Sequence, residues 1–165
     1  MIHFVFDLDD TLVLHRGDIH YQWVYPDREL TNLLTQCSKK GRCHLYTNGT
    51  IVHAMILLER LKIQHFFEEE KGDNERIYAR EFHGLKPSTQ SFTTVEARIY
   101  GRDADDRRHI VFFDDLSENL QVAKENFGWS AIWINRYHES AFLYPHVDAG
   151  FGSIKDALTK IHKIL

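Results

Sequence analysis

Several common protein classes are set aside by what this sequence has little of. It holds only two cysteines, Cys37 and Cys43, so a disulfide-stapled secreted scaffold is not indicated. Three prolines and nine glycines are too little punctuation for a low-complexity chain. No apolar run approaches the ~18–20 residues that span a bilayer. The opening run Met1–Phe6 meets Asp7 before the ~7–15 apolar residues of a secretion signal can form. A cytoplasmic protein without a membrane partner is expected. Basic residues are not in excess: 20 Lys plus Arg against 24 Asp plus Glu give a net charge of -4. That leaves no positive field for dedicated duplex nucleic-acid binding. The 11 histidines include no close His-x-x-His pair and none in zinc spacing with a cysteine, so they read as scattered core and surface residues. What is present is apolar material, 43% hydrophobic and 13% aromatic in 165 residues, enough for one core and a single domain over residues 1–165.

Ile2–Phe6 is a short apolar run of strand formers ending at a carboxylate, the profile of a strand buried on both faces. Pro26-Asp27-Arg28-Glu29 opens a helix with proline in its first turn, running through Leu30, Leu33 and Leu34 to Gly41. A strand Cys43–Tyr46, a turn Thr47–Thr50 and a helix carrying Ile51, Met55, Leu58 and Leu61 follow. Gln64–Gly84 is weakly patterned, with room for one short strand. Ser88 is expected to cap a helix through Phe92, Val95 and Ile99, and Gly101–Arg108 to form a charged loop. His109–Phe113 is again a strand ending at carboxylates, followed by a helix Ser117–Phe127 stopped by Gly128, a strand Ser130–Ile134 and a last helix Ser153–Leu165. Alternating strands and helices predict an α/β, Rossmann-like domain, a mostly parallel sheet with helices on both faces. The working site of such a sheet lies outside the carboxyl ends of its strands. Asp7, Thr47 with Asn48, and Asp114 with Asp115 are delivered to that edge.

Asp7 and Asp9, two apart at a strand end, can project to one side while Leu8 faces the other. Aspartate is a competent nucleophile towards phosphorus when cations neutralise the phosphoryl group. A second carboxylate can then act as acid and base, although Asp-x-Asp alone is more often an exposed turn. Thr47 and Asn48 offer hydroxyl, amide and backbone N–H groups for phosphate oxygens. Lys86 precedes Pro87, which disfavours a helical backbone at the lysine. Adjacent carboxylates at Asp114 and Asp115 repel each other unless a cation compensates, and magnesium is the expected one.

Taken in order, Asp7-x-Asp9-x-Thr11, Thr47-Asn48, Lys86-Pro87 and Phe112-Phe113-Asp114-Asp115 resemble the haloacid dehalogenase-like phosphatase superfamily. The resemblance runs from Met1 to about Arg136, leaving the role of the tail unread. It implies Asp7 as nucleophile and Asp9 as acid/base. Thr47, Asn48 and Lys86 would bind phosphate. Asp7, Asp114 and a backbone carbonyl near Asp9 would hold Mg²⁺, with Asp115 in support. Hydrolytic dehalogenases of that superfamily lack a carboxylate two residues after the nucleophile, so Asp9 favours a phosphatase.

Superfamily members often carry a substrate-selecting cap after the first motif or between the second and third. Here residues 12–46 and 49–85 are largely used by a core helix and short connections, which implies a capless member with only a flap hairpin over Val13–Trp23, Gly17 at its tip. His15, Arg16 and Tyr21, with His20 and Trp23 nearby, are the selectivity candidates. The expected partner is a phosphorylated substrate, a small ester such as a nucleotide before a phosphoprotein. A homo-oligomer is compatible with this reading. The alternatives are a capless phosphoserine phosphatase of the type acting on polymerase tails, and a phosphoryl acceptor or interaction domain without turnover.

Overall fold

The computed structural model describes residues 1–15, 21–68, 76–101 and 109–164. Chain order is β1 (Ile2–Phe6), α1 (Arg28–Lys40), β2 (Gly41–Tyr46), α2 (Ile51–Leu61), β3 (Ile77–Tyr78), α3 (Arg80–His83), α4 (Thr89–Tyr100), β4 (His109–Asp114), α5 (Ser117–Phe127), β5 (Ser130–Ile134), β6 (Ala149–Phe151) and α6 (Ile154–Ile164). Short 3₁₀ turns cover Gln64–Phe66 and His138–Leu143.

The six strands form one sheet in the order β3-β2-β1-β4-β5-β6, with every pair parallel. Side chains alternate between two cores, as the period of a strand requires. Phe4, Phe6, Val111, Phe113, Ile132 and Ile134 pack under α1, α2 and α6. Val5, Tyr46, Ile110, Phe112, Ala131 and Trp133 pack under α4 and α5 with Phe92, Leu120 and Trp129. The expected α/β sheet covered on both faces is therefore present. Residues beyond Arg136 complete it, since β6 pairs with β5 and α6 packs beside α1. β6 lies between Asp148 and Gly152 and contains Gly150, so it has no apolar run to announce it.

Local signals explain most boundaries and correct three expectations. The Asp27 carboxylate accepts the Leu30 N–H at 3.1 Å and caps α1, which puts Pro26 before the cap instead of in the first turn. β2 starts at Gly41, two residues early, because the helix cap passes directly into the strand. Ser88 stands at the start of α4 but makes no side-chain cap. Backbone bonds from Ser88 N–H to Leu85 and from Phe92 N–H to Ser88 close that turn instead. Gly128 stops α5 with φ of 69°, a left-handed conformation that glycine adopts at low cost.

The register positions the site. Phe6 pairs with both Leu45 and Phe113, so the next residues, Asp7, Tyr46 and Asp114, stand side by side at the carboxyl ends of three adjacent strands. This is also where the strand order reverses, between β1 and β4, the crevice in which such sheets bind ligands. Among the described residues, those between Thr11 and Thr47 and between Asn48 and Lys86 form α1, β2, α2, β3, α3 and connections, not a separate cap. The tip of the expected flap with Gly17, and most of the charged loop up to Arg108, lie outside the described residues. No helix among those residues is long and apolar enough to cross a membrane.

Candidate active site

Lys86 is the hub of the switch-point crevice. Its side chain is 1% exposed, and its ammonium donates to Asp7 Oδ1 at 2.7 Å, Asp114 Oδ2 at 2.6 Å and the Tyr46 carbonyl at 2.9 Å. Three donors thus meet three acceptors, one from each strand at the same register level. The rings of Tyr46 and Phe112 lie 5.1 and 5.4 Å from the ammonium. Burial alone lowers a lysine pKa, but Asp114 and Asp7 outweigh it and hold this ammonium above its ordinary value.

One ammonium serves a crowded set of carboxylates. Asp7, Asp114 and Asp115 each bring a carboxylate oxygen within 4.8 Å of the others. Asp114 is fully buried and also accepts the Leu116 N–H at 2.9 Å and the Asn119 amide at 3.0 and 3.1 Å. Burial pushes Asp7 up to about 7, with Lys86 opposing and Asp114 and Asp115 adding to it. Asp115 is also raised to about 7, by burial first and then by Asp114 and Asp10. Its backbone is pinned by the Trp133 indole N–H, which donates to its carbonyl at 2.8 Å. A cluster of hard oxygen donors short of positive charge fits Mg²⁺.

Asp9 faces another environment. Its carboxylate is 33% exposed, and Oδ1 is shared by His53 Nε2 at 2.7 Å and by His15 Nε2. The Tyr21 hydroxyl reaches His53 Nδ1 at 2.6 Å. Asp10 adopts φ of 61°, a left-handed turn that aspartate tolerates, and its carboxylate accepts the His15 N–H at 3.0 Å. These contacts correct the reading of the histidines as scattered. Two of them converge on the second carboxylate of the motif from the segment after β1 and from α2, a meeting that no sequence spacing records. Gly49 makes room for it, since a Cβ there would fall 2.7 Å from the His53 ring.

The remaining site residues act partly through one another. The Asn48 amide donates to the Lys86 carbonyl at 3.0 Å and accepts the Lys86 N–H at 2.7 Å, clamping the lysine backbone. Buried Thr47 accepts the Gly49 N–H at 2.9 Å through its hydroxyl. At the start of α2, the Ile51 N–H is taken by Glu81 and the His53 N–H by Thr50. Of the selectivity candidates, His15 and Tyr21 meet at His53, whereas Arg16, like nearby His20, lies outside the described residues. Trp23 lines a separate cleft with Leu14, Tyr25 and Lys155. His53, Asn119 and the Tyr46 carbonyl were not singled out from sequence. Only Asn119 had a signal, its place in the segment following Asp114.

No family model matches the sequence. The structure is similar to a haloacid dehalogenase-like hydrolase from Burkholderia xenovorans LB400, with a TM-score of 0.64 and 14% identity over 99% of this chain and 98% of that one. It is also similar to L-2-haloacid dehalogenase from Xanthobacter autotrophicus with chloropropionic acid covalently bound. There the TM-score is 0.58 and the identity 13%, over 86% of this chain and 62% of that one. Strand order and both likenesses together show that this chain has the haloacid dehalogenase-like hydrolase fold.

Proposed function

We propose that the protein is a Mg²⁺-dependent phosphomonoester hydrolase that works through a phosphoryl-Asp7 intermediate. The observation that carries this reading is the pair of carboxylates at the end of β1. Asp7 is buried beside the Lys86 ammonium and Asp114, and Asp9 sits two residues on, one-third exposed and in contact with two imidazoles.

In this reading an Asp7 carboxylate oxygen attacks phosphorus and the ester oxygen departs. Asp9 donates its proton to that oxygen, so the leaving group exits as an alcohol. Asp9 then takes a proton from water, whose oxygen attacks phosphorus, freeing Asp7 and inorganic phosphate. Lys86 offsets charge on the phosphoryl group, and Asn48 keeps its backbone in place. Mg²⁺ held by Asp7 and Asp114, with Asp115 beside them and a backbone carbonyl near Asp9, would supply the further positive charge that a phosphate dianion requires. A halide leaves without a proton, so the acid/base carboxylate favours ester hydrolysis over dehalogenation. The imidazoles of His15 and His53 contact Asp9 and the Tyr21 ring packs against His53, ring faces suited to a small ester such as a nucleotide.

The test is release of inorganic phosphate from nucleotide, sugar and amino-acid phosphates, a phosphoserine peptide and phosphorylated oligonucleotide ends, with Mg²⁺ or with excess chelator. Chloride release from 2-chloropropionate is followed in parallel. Many Mg²⁺-dependent turnovers on small esters are expected. Preference for the peptide would select a phosphoprotein phosphatase, and stoichiometric labelling without turnover a phosphoryl acceptor. Chloride release without phosphate release would overturn the proposal.

A further inference from the structure

We propose a second metal site, distinct from the carboxylate cluster, in which Asp9 Oδ1, His15 Nε2 and His53 Nε2 bind Zn²⁺ or a similar borderline transition-metal ion. These atoms lie within 4.8 Å of one another. They come from the turn after β1, the segment that follows it and α2, so the fold, not a local motif, assembles them. Zinc takes nitrogen and carboxylate oxygen at ~2.0–2.2 Å, commonly with three protein ligands and an open position for water. The present spacing reaches that arrangement with side-chain shifts on the order of half an ångström to an ångström.

Three observations favour an ion at this position. Both imidazoles direct Nε2 at the same carboxylate oxygen. The other nitrogen of His53, Nδ1, is held by the Tyr21 hydroxyl at 2.6 Å, an outer-shell contact of the kind that orients metal-binding histidines. The side chains of His15, His53 and Asp9 are 30%, 21% and 33% exposed, which leaves the ion a route in and room for water. The two clusters also differ in donor chemistry: imidazole nitrogen suits zinc, whereas the oxygen-only set of Asp7, Asp114 and Asp115 suits magnesium. The two ions would therefore sort between neighbouring sites by ligand type.

A zinc ion there occupies the carboxylate assigned to proton transfer. Zinc would then inhibit hydrolysis without displacing Mg²⁺, and this consequence alone rests on the proposed function. Binding is tested on the full chain by equilibrium dialysis with Zn²⁺, and by visible absorption with Co²⁺, both in a large excess of Mg²⁺. One equivalent is expected. His53→Gln and His15→Gln should each weaken binding by more than the ~10–100-fold typical of losing an outer-shell partner, and Tyr21→Phe by about ten-fold. Asp114→Asn should bind as the wild type does. Circular dichroism confirms that each variant is folded, and Gly49→Ala, which crowds the His53 ring without removing a ligand, should also weaken binding. Absence of a bound ion, or binding lost in Asp114→Asn but kept in both histidine variants, would overturn the site. Zinc binding in a protein that hydrolyses no ester would support the site and remove only the phosphatase reading.

Discussion

Asp7 and Asp9 are two residues apart in the chain, yet their surroundings have little in common. Asp7 is 6% exposed, held by a buried ammonium and crowded by Asp114 and Asp115. Asp9 is about one-third exposed and held by two imidazoles that are themselves reachable from solvent. The inner position has fixed geometry and strong local charge, which suits bond formation at phosphorus. The outer one has imidazole partners that can donate or accept a hydrogen bond. The proposed division of labour between two identical side chains would therefore come from environment, and each side should fail in its own way.

The largest effects come from replacing each carboxylate in turn. Asp7→Asn should lower turnover by at least ~10⁴-fold on every ester, because it removes the proposed nucleophile. Asp9→Asn should slow phosphorylation of Asp7 by alkyl phosphates ~10²–10⁴-fold, the range for general acid–base catalysis, and phosphorylation by nitrophenyl phosphate, whose leaving group needs no proton, far less. Single-turnover release of the alcohol or nitrophenol measures the contrast, because the later hydrolysis of phospho-Asp7 uses Asp9 as base whichever ester is supplied. Equal losses for Asp9→Asn on both would mean that the two carboxylates are not divided as described.

Lys86→Met tests the inner side without touching either carboxylate. Removing one partner of a buried ionic group costs ~3–5 kcal/mol, and here Asp7 and Asp114 would be left facing each other. Urea unfolding in chelator should show that loss, and Mg²⁺ should restore part of it. A change below ~1 kcal/mol would mean that the ammonium does not hold the cluster together.

How far this division was legible in the sequence differs between the two sides. The inner side was nearly all readable, because carboxylates at the ends of Ile2–Phe6 and His109–Phe113 must meet once those runs become neighbouring parallel strands. Lys86 was readable through its place before Pro87, although its contact with the Tyr46 carbonyl depends on register. On the outer side Asp9, His15 and Tyr21 were readable as candidates, but His53 and the convergence on Asp9 were not. His15 and His53 meet through the left-handed turn at Asp10 and the missing side chain of Gly49, and neither leaves a periodic or spaced signal. The same holds for β6, whose three residues pair by backbone and carry little hydrophobic pattern. The Asn48 amide was assigned to phosphate from its residue type, whereas the fold uses it first to clamp Lys86.

Proton linkage provides a third contrast. Asp7 and Asp115 are raised from 3.8 to about 7 in the folded protein, so between about pH 4 and pH 7 the native state binds protons that the unfolded chain has released. The corresponding stability is fully present below pH 4 and is lost as pH rises through about 7. Metal-free protein should therefore lose stability from pH 5 to pH 8 in chemical denaturation. Asp115→Asn should flatten that slope, and so should saturating Mg²⁺, which favours the ionised carboxylates. A rising slope in chelator would contradict the crowding of the inner cluster.

The smallest effect should come from Tyr21→Phe, which acts only on the outer side. The hydroxyl lost is one partner of His53 Nδ1 in a half-buried position, so stability should fall by no more than ~1 kcal/mol, within the usual net worth of a hydrogen bond. The aromatic ring beside His53 is retained, which separates loss of the hydroxyl from loss of ring contacts. His53 would still reach Asp9, but with its ring less firmly oriented. Phosphorylation of Asp7 by alkyl phosphates should therefore slow a few-fold in single turnover while that by nitrophenyl phosphate is almost unaffected and KM changes little. A rise in KM across all esters would place Tyr21 in substrate binding instead, and an equal fall in the phosphorylation rate for both leaving groups would show that its effect reaches the inner carboxylate.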